Sequence, residues 1–261
     1  MRALEPIRLL ILGGTSEAAR LADAASQRFG ATLEVTSSLA GTTRDPASIA
    51  GTVRVGGFGG VSGLAAWLRR DNTHMVVDAT HPFAVRISGN AREACVLEKV
   101  PRLVFSRAPW RPKPNDKWRN VSDLDTAAAL LPDVAKRAFL SVGSVRLGAF
   151  AGLPGVHLVV RMIGPPPTPV PLANCSVILG RGPFDVEAER ALLRRERIDA
   201  VVSRNSGGPA TYAKIRAARE LDLPVVMIAP PAQDTGQSVR SIEGALRWIG
   251  NQVALQTPTA P

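Results

Sequence analysis

Two glycines, two hydroxyls and an acid sit together at Gly13-Gly14-Thr15-Ser16-Glu17, between the apolar run Arg8-Leu9-Leu10-Ile11-Leu12 and the alanine-rich Ala18-Ala19-Arg20-Leu21. The apolar run reads as a strand, the glycines as a tight turn and the alanine-rich segment as a helix. The first N–H groups of a helix lack partners within it and point at the turn, so an anion such as a phosphate fits there. Thr15 and Ser16 add hydroxyl donors. The glycines are adjacent, and Ala18 stands near where G-x-G-x-x-G would place its third glycine, so this motif alone specifies only a phosphate-type turn.

The ends of the next strands add chemistry. Ala31-Thr32-Leu33-Glu34-Val35-Thr36 reads as a second strand and runs into Ser37-Ser38, with Arg44 shortly after. Dinucleotide-binding folds place an acid there to bond the ribose 2′-hydroxyl of NAD. This chain has hydroxyls and a cation instead, a set that suits a 2′-phosphate and so points to NADPH. Thr52-Val53-Arg54-Val55 alternates like a strand and meets Gly56-Gly57-Phe58-Gly59-Gly60, where Gly57, Phe58 and Gly59 allow a ligand close to the backbone. Met75-Val76-Val77-Asp78-Ala79 reads as a fourth strand and ends in Thr80-His81-Pro82-Phe83-Ala84, where His81 suits an acid, a stacking surface or a positioning group. Ligands of open α/β sheets bind outside the carboxyl ends of strands, so these four ends are expected to converge on one crevice.

The elements that must position these groups alternate along the chain. Helices are expected from about Ser62 to Arg70 and from Arg86 to Leu97, with a fifth strand at Pro101 to Ser106. Ala108-Pro109-Trp110-Arg111-Pro112-Lys113-Pro114-Asn115-Asp116 has three prolines and no periodicity, as a stiff connector does. Beyond it, Ser122 is a candidate cap for a helix to about Leu131. Strands are expected at Ala138 to Val142, Val156 to Arg161, Ser176 to Gly180, Ala200 to Ser203 and Pro224 to Ile228, with a last helix from Ser241 to Ile249. Such alternation implies α/β architecture, with two doubly wound parallel-sheet domains facing each other across a cleft. Ser144, Arg161, Arg181, Arg204, Asn205, Ser206, Gly207, Tyr212 and Lys214 fall at strand ends and helix starts. Arginines there can grip carboxylates through both nitrogens, which suggests a substrate with several carboxylates. Tyr212 and Lys214 are two residues apart and would leave a helix on different faces, unlike the tyrosine and lysine pair of short-chain dehydrogenases.

Composition sets the class. The chain has 261 residues, 45% hydrophobic and 21% charged, and no apolar run long enough for a bilayer. Its start lacks the apolar centre of a signal peptide, so a cytoplasmic protein without membrane contact is expected. Cys95 and Cys175 lie far apart and the three histidines form no metal spacing, so no metal is expected. The net charge of +10 comes from scattered arginines and the chain has one tyrosine, which argues against nucleic acid and for an anionic small molecule or cofactor.

Together, Gly13-Gly14-Thr15-Ser16-Glu17-Ala18, Val55-Gly56-Gly57-Phe58-Gly59-Gly60, Asp78-Ala79-Thr80-His81-Pro82-Phe83-Ala84, Arg181-Gly182-Pro183-Phe184 and Asn205-Ser206-Gly207-Gly208 with Tyr212-Ala213-Lys214 resemble the precorrin-6A reductase family of cobalamin biosynthesis, in order along nearly the whole chain. The resemblance implies NADPH-dependent reduction of a carbon–carbon double bond in precorrin-6A to give precorrin-6B. It also implies a polycarboxylate macrocycle as partner and transient contact with neighbouring cobalamin-pathway enzymes. On that reading residues 1–107 form a Rossmann-like NADPH domain, 108–116 a linker, 117–250 a Rossmann-like substrate domain and 251–261 a disordered tail. Gly13, Gly14, Thr15 and Ser16 would hold the pyrophosphate; Ser37, Ser38 and Arg44 the 2′-phosphate; Thr80 and His81 would lie near the nicotinamide; and Glu17, Gly57, Phe58, Gly59 and Pro82 would also bind the cofactor. Ser144, Arg161, Arg181, Asn205, Ser206, Gly207, Tyr212 and Lys214 would meet the macrocycle. Tyr212, His81, Lys214 or a water supplies the proton; the sequence leaves that choice open. The rival readings are another NADPH oxidoreductase with a polyanionic substrate, a non-catalytic tetrapyrrole-binding protein and a basic nucleic-acid-binding protein.

Overall fold

The computed structural model describes residues 5–40, 49–143, 146–166, 168–232 and 236–256. They fall into two units, Met1–Arg107 with Pro231–Pro261, and Ala108–Pro230. In the first, β1 (Ile7–Leu12) leads through α1 (Ser16–Phe29) to β2 (Leu33–Leu39) and β3 (Thr52–Val55). Then come α2 (Gly60–Arg70), β4 (Met75–Asp78), α3 (Val85–Glu98) and β5 (Arg102–Phe105). The second unit holds β6 (Lys117–Val121), α4 (Leu124–Val134), β7 (Arg137–Ser141), β8 (His157–Met162) and β9 (Cys175–Leu179). It continues with α5 (Val186–Arg195), β10 (Ala200–Arg204), α6 (Ala213–Glu220) and β11 (Pro224–Ile228). The chain then adds β12 (Ser238–Val239) and α7 (Ile242–Gln256) to the first unit.

The first sheet has the order β3-β2-β1-β4-β5-β12 and all its pairs are parallel. This is the doubly wound order, and its direction of winding reverses between β1 and β4, where such sheets take ligands. Residues of β1 alternate between two cores because both faces of the sheet are covered. Leu9 and Ile11 pack with Leu21, Ala25, Trp248 and Ile249 of α1 and α7. Leu10 and Leu12 pack with Leu64, Leu68, Ala91 and Ala94 of α2 and α3. The second sheet, β9-β8-β7-β10-β11-β6, is also parallel throughout and reverses between β7 and β10. Phe139, Val159, Val201 and Met227 on one of its faces pack with Leu192, Leu193 and Ile215 of α5 and α6.

The α/β class and ten strands follow the sequence pattern, and four features differ from it. Lys117–Val121 is a strand although Lys-Trp-Arg-Asn-Val has little apolar content; it lies beside β11 at the sheet edge, where polar side chains are tolerated. The cap of α4 is Asp123, whose carboxylate accepts from the Thr126 N–H, while Ser122 donates to Asp123. Residues 231–256 belong to the first unit and not the second, because β12 pairs with β5 and α7 buries Ala245, Leu246, Trp248 and Ile249 against the first core. That helix continues through Gln256, so residues 251–256 are ordered secondary structure and not a disordered tail; residues 257–261 lie outside the described ones.

Candidate functional site

The first rim is built at the carboxyl ends of β1 and β4. Gly13 donates its N–H to the Ser38 carbonyl at 2.9 Å, tying the turn to the end of β2. Gly14 has φ +102°, and a Cβ there would meet nothing within 4 Å, so the turn leaves open space on that side. Thr15 caps α1, accepting from the Ala18 N–H at 3.1 Å, and its hydroxyl donates to the Ala79 carbonyl at 2.9 Å. One side chain thus fixes the helix start and couples it to β4. Ser16 donates to Glu17 at 2.9 Å, and Glu17 pairs with Arg107 at 3.1 Å. Burial pushes the Arg107 guanidinium below its usual range, with Glu17 opposing that shift.

At the end of β4, buried Asp78 accepts from the Thr80 hydroxyl at 2.8 Å and from its N–H at 3.3 Å, and pairs with Arg102 at 3.4 Å. The Thr80 hydroxyl lies 3.1 Å from that of Ser88 on α3. His81 Nδ1 accepts from the Phe83 N–H at 3.2 Å, so the neutral ring carries its proton on Nε2. Nearby Cys95 is buried, which pushes its thiol up to about 12 and leaves it unreactive.

At the ends of β2 and β3, Ser37 and Ser38 are buried. Ser38 is paired in register with Arg54, and the Arg54 guanidinium covers the Phe58 ring at 3.8 Å. It also donates to the carbonyls of Gly56 and Gly57 at 2.5 and 2.8 Å.

The second rim surrounds the end of β10. Asn205 embraces the backbone of Trp110: its Oδ1 accepts from the Trp110 N–H at 2.7 Å and its Nδ2 donates to the Trp110 carbonyl at 2.9 Å. The Trp110 indole donates to the Gly208 carbonyl at 2.7 Å and its ring lies 5.5 Å from that of Tyr212. The Tyr212 hydroxyl accepts from Arg219 at 2.7 Å, and Arg219 is itself held by both carboxylate oxygens of Asp116. Lys214 is buried with its ammonium on the Thr211 carbonyl at 2.7 Å and 5.1 Å from the centre of the Trp110 ring. Burial pulls it down to about 7, against the attraction of Glu189 and with help from Arg161. Phe184 joins this group: its N–H donates to the Ala210 carbonyl at 3.3 Å and its ring lies 4.0 Å from the Arg161 guanidinium. The Gly182-Pro183 bond is cis.

The sequence of residues 8–250 matches the family described as Precorrin-6x reductase CbiJ/CobK. The chain belongs to the precorrin-6x reductase family. A precorrin-6A reductase of Rhodococcus erythropolis is 45% identical over 244 residues, 93% of this chain and 97% of that protein. One of Rhodobacter capsulatus is 42% identical over 248 residues, covering 95% and 97% of the two chains. A cobalt-precorrin-6A reductase of Priestia megaterium is 27% identical over 258 residues, covering 94% and 98%. A solved structure described as CobK precorrin-6A reductase matches with a TM-score of 0.88 at 41% identity, covering 94% of this chain and 97% of that one.

Within this reductase-family chain, Gly13 to Glu17 and Thr80 to Pro82 come together in the first unit, because β1 and β4 are sheet neighbours. Three expectations are corrected. Arg161 does not present its fork at the rim: both nitrogens are bonded to Glu189, and the pair is buried under Phe139 and Phe184. Asn205 has its amide committed to Trp110, and the stretch 108–116 is part of the second unit, held through Trp110 and Asp116, and not a separate linker. Arg44 and Ser144 lie outside the described residues. Asp78, Trp110 and Arg54 stand at the rims without having been singled out as binding residues. The lone carboxylate ending an apolar strand was a signal for the first, the lone aromatic among prolines for the second, and the pairing of an arginine with the serines of β2 for the third. No group of three or more His, Cys, Asp or Glu side chains among the described residues is placed to hold a metal, and none of their helices is long and apolar enough to cross a membrane.

Proposed function

We propose that this chain reduces one carbon–carbon double bond of precorrin-6A with NADPH, giving precorrin-6B, in the cytoplasm and as a step of cobalamin biosynthesis. The observation that carries this reading is the 45% identity, across 93% of the chain, to a protein named precorrin-6A reductase. Identities of 40–45% to proteins so named, against 26–29% to those named cobalt-precorrin-6A reductases, favour the metal-free macrocycle.

The first unit fits a dinucleotide. The open side of Gly14 and the capped start of α1 at the β1–β4 reversal suit a pyrophosphate on backbone N–H groups. When bound, NADPH supplies the hydride. Gly13, Gly14, Thr15 and Ser16 hold the pyrophosphate, Ser37 and Ser38 lie beside the adenosine ribose, and Thr80, His81 and Pro82 stand by the nicotinamide. Asp78 acts on Thr80 by orienting its hydroxyl. The proton for the neighbouring carbon comes from a bound water that the Nε2–H of His81 orients.

In the second unit, Arg181, Ser206 and the N–H of Gly207 meet carboxylates of the macrocycle, and the Trp110–Tyr212 pair offers an aromatic wall to its conjugated face. Lys214 holds that wall from behind. The test is loss of NADPH absorbance on addition of precorrin-6A, with cobalt-precorrin-6A and NADH as comparisons. Binding of precorrin-6A without NADPH oxidation would favour a carrier and overturn the reading.

A further inference from the structure

We propose that Arg54, on β3, is the residue that receives the adenosine 2′-phosphate and sets the preference for NADPH over NADH; this rests on the NADPH reading above. The register of the sheet puts Arg54 directly beside Ser38, at the strand end where a doubly wound sheet meets the adenosine ribose. No carboxylate stands at that end, as the run Thr36-Ser37-Ser38-Leu39-Ala40 shows. Ser38 Oγ lies 3.4 Å from Arg54 Nη1, and the carbonyls of Gly56 and Gly57 fix the other hydrogens of that edge. The fork is therefore held in one orientation, over the Phe58 ring, before any ligand arrives. These bonds use three of the five guanidinium N–H groups, which leaves Nε–H and one Nη2–H uncommitted among the described residues.

The surroundings are cationic. Arg54, Phe58, Gly63, Ala66, Trp67 and Arg70 line one depression. Arg70 adds a second positive charge, and no ion pair among the described residues neutralises either arginine, whereas the adjacent Arg69 is paired with Glu98. Burial and the field of Arg70 both lower the Arg54 guanidinium from its usual range, which is the strain an incoming dianion would relieve. Gly63 lets the backbone at Phe58 lie close on α2: a Cβ there would land on the Phe58 carbonyl oxygen. An ordered, part-buried guanidinium beside a hydroxyl, with like charge behind it and no acid paired to it among the described residues, suits a phosphate monoester better than a neutral ribose.

The experiment measures dissociation constants of NADPH, NADH and adenosine 2′,5′-bisphosphate for the unaltered protein, Arg54→Gln and Arg54→Lys, by nucleotide fluorescence and calorimetry, with a thermal melt for each. For Arg54→Gln the NADPH constant is expected to rise about 10- to 100-fold, the value of losing one or two charge-assisted bonds. NADH should change less than about twofold and bisphosphate binding should fall with NADPH. Arg54→Lys keeps the charge without the fork and should lie between; it carries the test if Arg54→Gln melts below the assay temperature. Unaltered NADPH:NADH ratios in Arg54→Lys and in folded Arg54→Gln would overturn the proposal while leaving the cofactor reading intact. Equal affinity of the unaltered protein for both nucleotides would overturn both.

Discussion

Arg161 and Glu189 meet fork to fork, with Nη1 2.9 Å from Oε2 and Nη2 2.7 Å from Oε1, and the guanidinium lies between the rings of Phe139 and Phe184. Removing one partner leaves the other charge buried. Arg161→Ala is therefore expected to cost about 3–5 kcal/mol of stability, read from urea unfolding. Arg161→Met combined with Glu189→Leu should recover most of it. If Arg161→Ala unfolds like the parent but binds substrate weakly, the arginine is a substrate anchor after all.

Lys214 gives a pH signature. Its folded value of about 7 lies below the ordinary 10.5, so between these limits the unfolded chain holds a proton that the folded chain lacks. Stability then rises with pH across that window, by at most ~1.4 kcal/mol per unit, and the full penalty for burying the amine is present below pH 7. Lys214→Met should abolish this slope, seen as the difference between its urea midpoints and the parent's at pH 7 and pH 9. The same slope in both proteins would show that Lys214 is charged when folded.

Asn205 fixes the proline-rich stretch with two bonds to one backbone unit. Asn205→Ala should lose about 1–3 kcal/mol and free Trp110. The checks are a change in Trp110 fluorescence, isolated in a protein lacking the other three tryptophans, and faster proteolysis between residues 108 and 116. Unchanged cleavage would mean that Arg219 and Asp116 hold the stretch alone.

Thr15 joins α1 to β4. Thr15→Val keeps the shape and removes both the cap and the bond to Ala79, at an expected cost of about 1–2 kcal/mol. On the proposed function, NADPH binding should weaken with it. A variant of lower stability and full NADPH affinity would place the pyrophosphate elsewhere.

Much of the fold was legible because both sheets are buried on two faces, which leaves apolar runs such as Met75-Val76-Val77 separated by glycine and proline. The edge strands were not: β6 carries lysine, tryptophan, arginine and asparagine, and β12 is two residues long. At the candidate site the local geometry was legible where backbone chemistry decides it, as in the turn from Gly13 to Ser16. It was obscured at Arg161, because a strand-end arginine looks the same in sequence whether it faces a ligand or a buried acid. Glu189, dispersed in a helix rich in Glu and Arg, gave no sign of being that acid.

The return of β12 and α7 to the first sheet has a consequence for the order of folding. The core beneath β1 includes Trp248 and Ile249, so during synthesis the first unit stays incomplete until α7 has left the ribosome. The second unit, contiguous from Ala108 to Pro230, has all its strands earlier. Translation that begins with the first unit is thus expected to finish the second one sooner, and a nonsense codon anywhere before Trp248 would spoil the half of the molecule that was made first.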